Sequence, residues 1–107
     1  MNGMEYREAI VDRGMTQVGA ARFFGVDGRT SRKWIAEESP VPPAVAQLLQ
    51  VMLHYDLSPG DVRNISQWSD NADGMLLRVM LHYNLTPDDV ANISPRARPE
   101  RAGRVAT

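Results

Sequence analysis

QVGAARFFGVDGRTSRKWIA, Gln17–Ala36, is the stretch whose reading decides the fold. Thr16 precedes it, a hydroxyl residue able to accept an otherwise unpaired backbone N–H at a helix start. Ala20, Ala21, Phe23 and Phe24 fill the buried side of a helix over 17–24, and Gly25 ends it, since a residue without Cβ enters the left-handed region at least cost. Asp27 is placed to cap a further helix, roughly Gly28–Glu37, in which Trp34 packs back with Phe24 and Val26 on the preceding one. Ala21 is small where the two helices cross closely. Gly28, Arg29, Arg32 and Lys33 are left pointing outward, a short, polar and basic face.

Outward from this stretch the helical signals continue. Met4–Arg13 reads as a helix with Tyr6, Ala9, Ile10 and Val11 as its apolar positions and Gly14 as its stop. After ESPVPP, a helix opens near Pro43 and runs to Tyr55, with Val45, Leu48, Leu49, Met52 and Tyr55 along one face. Leu48–Ser66 then recurs as Leu76–Ser94, identical at 14 of 19 positions at an offset of 28 residues. Each copy is a helix ending near His-Tyr, a turn, and a short helix opened by a hydroxyl cap, a proline and an acid: Ser58-Pro59-Gly60-Asp61 and Thr86-Pro87-Asp88-Asp89. Leu76, Leu77, Met80 and Tyr83 repeat the apolar face. No period-two alternation marks a strand, so the chain is expected to be all-α: a helical unit followed by a duplicated helix–turn–short-helix unit.

Composition narrows the class. Hydrophobic residues make up 43% of 107, enough for one small core, and no window approaches the roughly 18 unbroken apolar residues of a membrane span. The N-terminus has no apolar leader core and the chain has no cysteine, so a cytoplasmic protein without disulfides or thiolate metal sites is expected. The net charge of −1 hides an uneven distribution. Arg22, Arg29, Arg32 and Lys33 cluster against Asp27 alone; Asp56, Asp61, Asp70, Asp73, Asp88 and Asp89 outnumber Arg63 and Arg78; Arg96, Arg98, Arg101 and Arg104 make the tail basic. Basic ends flanking an acidic middle suit an anionic partner.

Gln17–Ala36 resembles the helix-turn-helix of phage-repressor-like regulators of the Cro and Xre type, on glutamine first, alanine fifth, glycine ninth and a large apolar residue eighteenth. WIAEESPVPPAVAQLL resembles the sequel common in that group, and small regulators of mobile elements, anti-CRISPR-associated repressors among them, share this style. The resemblance covers about Met4–Tyr55. It implies double-stranded DNA as partner, Gln17 near a backbone phosphate, Arg29 and Lys33 at base edges, Arg32 on a base or phosphate, and Thr30 and Ser31 as phosphate donors, with Asp27 and Gly28 completing the surface. Two positions depart from the pattern. Gly28 stands where relatives have a reading side chain, and Ser31 where a buried branched aliphatic is usual.

Other chemistry finds little support. His54 and His82 each sit beside a tyrosine at a helix end, without further ligands at helical spacing, and read as helix-end caps rather than a zinc site. There is no phosphate-binding glycine loop, no cysteine nucleophile and no Ser/His/Asp arrangement, so neither catalysis nor a cofactor is expected. Met15, Met52, Met75 and Met80 read as filler of the core or an interface. Trp68 reads as an aromatic anchored against a helix, and 96–107 as a disordered basic tail. The expected organisation is a DNA-binding domain over 1–66 that includes the first copy, with its Leu48, Leu49 and Met52 face closing over Phe23, Phe24 and Trp34. The second copy, 67–95, has no place in so small a core and is expected to form a homodimer through Leu76, Leu77, Met80, Leu81, Tyr83 and Val90. The function expected is that of a homodimeric repressor. The alternative is a protein-interaction module, an antitoxin or anti-activator, whose acidic repeats bind a protein.

Overall fold

The computed structural model describes residues 1–67, 69 and 71–93; Trp68 and the basic tail lie outside the described residues. The fold is all-α: α1 (Gly3–Asp12), α2 (Gln17–Phe24), α3 (Gly28–Ile35), α4 (Pro43–Tyr55), α5 (Pro59–Ile65), α6 (Ala72–His82) and α7 (Pro87–Ala91), with no strand among the described residues. Local chemistry explains most of these boundaries. Asn2 and Glu5 form a reciprocal capping box on α1, and Thr16 accepts the Gly19 N–H at the start of α2. Gly25, at φ 74°, turns the chain out of α2 while the Val26 N–H reaches back to the Ala21 carbonyl. Pro43 opens α4 at its first position, where the missing N–H has no partner to lose.

The two copies of the repeat fold alike. Asp56 and Asn84 both take a left-handed φ of 57°, and the next N–H, of Leu57 and Leu85, bonds back to Met52 and Met80 at 2.8 and 2.7 Å. Ser58 with Asp61, and Thr86 with Asp89, close matching capping boxes. Helix α6 begins earlier than the polar connection suggested. Asn71 caps it through the Gly74 N–H, so Ala72, Asp73 and Gly74 form its first turn.

One core runs through the whole chain, from Tyr6 to Val90. Helix α4 lies at its centre, with Val45, Ala46, Leu48, Leu49, Val51, Met52 and Leu53 all buried. Only the stripe Gln47, Gln50 and His54 is polar, and a helix with so wide an apolar face is covered on more than one side: α4 packs on α1, α6 and α7. The expectation that the second copy lacks a place in the core is therefore corrected. Helix α6 packs along α4 and α5, and Met75, Leu76, Val79 and Val90 are buried within the same chain. Phe23, Phe24 and Trp34 share this cluster with Leu48, Leu49 and Met52, and α4 also packs on α1.

The contacts between the copies are reciprocal. Helix α5 of the first copy packs on α6 of the second, and α7 of the second packs on α4 of the first. Tyr55 and its repeat equivalent Tyr83 stack face to face, with centroids 4.4 Å apart and planes 10° from parallel. Equivalent residues meeting each other are the mark of a two-fold relation. The duplicated half is thus an internal pseudo-dimer.

Candidate nucleic-acid interface

Helices α2 and α3 pack on each other across the short turn Gly25–Asp27, and α3 also rests on α1. Three features of α1 hold α3. The Tyr6 ring meets Trp34 edge-on, centroids 5.4 Å apart at 89°. The Tyr6 hydroxyl shares a buried hydrogen bond of 2.7 Å with Ser31. Gly3 presses so closely on the end of α3 that an added Cβ would stand 2.7 Å from the Trp34 carbonyl oxygen. Burial pushes the Tyr6 phenol above its ordinary pKa, an effect that the Ser31 hydrogen bond partly opposes.

With Ser31 and Trp34 turned inward, helical phase leaves Arg29, Arg32 and Lys33 outward, and all three are exposed. None makes an ion pair with a described residue. Arg32 Nη1 lies 3.5 Å from where a Cβ on Gly28 would stand, an ordinary contact distance. Gln17 and Arg22 on α2 are exposed as well.

Three expected contacts look different here. Ser31 is fully buried and bonded to Tyr6, so its expected role as a phosphate donor is corrected: it anchors α3 from inside. Asp27 accepts the Thr30 N–H at 2.9 Å and the Thr30 hydroxyl at 3.1 Å, which joins these two residues in a cap. The Thr30 hydrogen bonds, backbone first, hold the Asp27 carboxyl below its ordinary pKa, as an anion at a helix start should be held. Val11, expected on the apolar side of α1, is 64% exposed.

The residues expected to pair two chains divide sharply. Leu76 and Val90 are buried in the chain's own core, Tyr83 is stacked on Tyr55, and Met80 is partly buried against the core. Leu77 and Leu81 are 57% and 67% exposed. The correction has a plain cause: the first copy already occupies the face that a second chain was expected to cover.

His54 and His82 stand in the last turns of α4 and α6, where a positive partner was expected. They lie edge-on to Tyr55 and Tyr83, and the His54 Nδ1 is buried without a hydrogen-bond partner. The end of α4 is held by Arg13, a residue the sequence did not single out. Its Nη1 donates to the Leu57 carbonyl at 3.1 Å, the Met52 carbonyl at 3.5 Å and Asp56 at 3.0 Å, while Nη2 donates to Asp12 at 2.9 Å. A guanidinium suits the negative end of a helix. From α5, Arg63 lies 5.5 Å over the Phe23 ring, tying the first copy to α2. Among the described residues no three His, Asp or Glu side chains are grouped to hold a metal ion, and no helix is long and apolar enough to cross a membrane.

No protein-family model, curated protein or solved structure matches the chain.

Proposed function

We propose that this protein is a sequence-specific, double-stranded DNA-binding regulator that acts as a homodimeric repressor in the cytoplasm, without cofactor or catalysis. The observation that carries this reading is the two-sided character of α3. Its inner side is fixed by Ser31 and Trp34 on Tyr6, and its outer side presents Arg29, Arg32 and Lys33 with no ion-pair partner among the described residues. A rigid helix with unpaired cations suits the major groove, where arginine grips guanine O6 and N7 in a bidentate manner. Gln17, at the first turn of α2, is the partner for the flanking phosphate. Two such helices about 34 Å apart would read an inverted repeat, and occupancy of that site blocks transcription.

The test is selection of bound duplexes from a random pool, followed by fluorescence anisotropy on the enriched sequence. Wild type should bind it far above scrambled DNA. Arg29→Ala and Arg32→Ala should each cost about 1–3 kcal/mol and relax the preference at one base pair. Lys33→Ala should likewise weaken binding and relax the preference at one base pair. No enrichment at moderate salt ends the proposal. The exposed Leu77 and Leu81 favour a second reading, a protein-interaction module. In that case the arginine substitutions would leave partner binding intact and polar residues at 77 and 81 would abolish it.

A further inference from the structure

The duplication offers an internal comparison that bears on those two leucines. At the repeat offset of 28, Leu77 corresponds to Leu49 and Leu81 to Leu53. In the first copy these positions are 0% and 5% exposed; in the second they are 57% and 67% exposed. Helical phase explains the contrast. On both α4 and α6 the stripe carrying the tyrosine faces the seam between the copies, where Tyr55 stacks on Tyr83. Leu49 and Leu53 lie more than a quarter turn away from that stripe, and α4 packs on α1 as well as on the second copy. Helix α6 has no counterpart of α1. The second copy therefore keeps the residues of a helix-docking face, bare.

We infer that this Leu77–Leu81 face is where a second copy of the chain docks, α6 against α6 in antiparallel two-fold pairing, with Leu77 of each protomer on Leu81 of its partner. Three observations select a second copy as the occupant. The bare stripe is continuous with an interface already formed, because the adjacent stripe of α6 is the α4–α6 seam. That seam shows that this helix sequence packs on its own repeat in a two-fold manner. The leucines are flanked by one acid, Asp73 four residues before Leu77, and one base, Arg78, so the face sets no net charge against a second copy of itself. The inference deepens the DNA-binding reading and rests on it for its purpose: each chain carries one exposed basic helix, and pairing through α6 joins two of them in one particle. Two leucines per protomer are far less than the ~800 Å² per partner of a standard interface, so the seam is weak in free protein and completed on the operator.

The experiment uses the full chain without DNA. Sedimentation over a concentration series up to about 100 µM should show the mass rising from 11.9 kDa toward a dimer. Leu77→Gln/Leu81→Gln, and separately Leu77→Ala/Leu81→Ala, should stay monomeric with unchanged helix content, since both side chains are exposed. The chain has no cysteine, so Leu81→Cys and, as control, Val11→Cys can be treated with a short bismaleimide. Cross-linked dimer should form with the former and not the latter. A wild type that stays monomeric overturns the inference, as does a dimer indifferent to both leucine variants or lost only when residues 94–107 are removed. Arg29→Ala should dimerise like wild type while binding the selected duplex more weakly, so a failed DNA reading and a failed seam give different results.

Discussion

The Tyr6–Ser31 hydrogen bond is the tie between α1 and the exposed basic helix, and a double-mutant cycle measures it. Both residues are 0% exposed and their oxygens are 2.7 Å apart. Ser31→Ala strands the Tyr6 hydroxyl in the core, and an unsatisfied buried hydroxyl costs about 1–3 kcal/mol. Tyr6→Phe strands the Ser31 hydroxyl, but a helical serine can turn back to the carbonyl four residues earlier, here Asp27, so about 1 kcal/mol is expected. The double variant leaves no orphan and should cost less than the sum, giving a coupling of about 1 kcal/mol. In a domain of this size each kcal/mol moves Tm by roughly 4–8 °C, well within reach of far-UV circular dichroism with urea and heat. The same samples are then titrated with the selected duplex. Ser31 points inward, so affinity should change little in the double variant, unlike Arg29→Ala. Additive single effects would refute the hydrogen-bond reasoning. A collapse of DNA affinity in Ser31→Ala without loss of stability would restore Ser31 to the DNA surface.

Three further outcomes follow from the same geometry. Residues 1–66 alone should not fold cooperatively: removing α6 uncovers Leu48, Val51 and Met52, each 0% exposed, at about 1.5–3 kcal/mol apiece, against a total stability of about 5–15 kcal/mol; a sharp urea transition in the fragment would contradict this. Arg13→Ala should cost about 1.5–3 kcal/mol through the Met52 and Leu57 carbonyls, whereas Asp56→Asn, with a side chain half exposed and the residue type of the equivalent Asn84, should cost under about 1 kcal/mol; equal losses by urea titration would place the energy in the ion pair instead. Asp27 and Asp89 have carboxyls held below their ordinary pKa by the Thr30 and Thr86 hydrogen bonds, so their contribution is present above about pH 4, the unfolded value, and is lost as pH falls through the lower folded value; Asp27→Asn/Asp89→Asn should flatten the acid limb of a Tm-against-pH curve, and an unchanged limb would count against it.

What the sequence disclosed was local. Thr16, Asp27, Ser58 and Thr86 each cap a helix through the N–H three residues on, and a contact of that range is written in adjacent letters. Asn2 and Glu5 follow the same grammar but were missed, since the helix was read from Met4, and Asn71 was missed because its surroundings read as a turn. Ser31 carried a usable sign as well: it lies three residues before Trp34 and so shares the inward phase. The basic face of α3 was legible for the same reason. Arg13 gave no sign, since its carbonyl partner Leu57 is 44 residues away. The place of α6 was half written. A helix with an apolar face as wide as that of α4 has two neighbours to find, but nothing in sequence order says which later helix is the second.

The duplication also bears on how the basic helix is mounted. Helix α3 contacts the repeats through α1, whose Tyr6 and Gly3 meet α3 and whose last turn, through Arg13, meets the end of α4. Helix α1 thus has one face on each half, beside the Arg63–Phe23 contact that ties the first copy to α2. The seam between α4 and α6 fixes α4, α4 fixes α1, and α1 fixes the direction in which Arg29, Arg32 and Lys33 point. In a dimer joined at α6, the separation of two such basic faces would be set by packed helices from end to end. Half-site spacing is a geometric property of that kind of mount, whereas a chain joined by flexible linkers would tolerate many spacings. Inserting base pairs between the two halves of the selected operator should therefore abolish binding by the pair while leaving the weak binding of one protomer, and tolerance of several spacings would show that the path through α1 and α6 is not rigid.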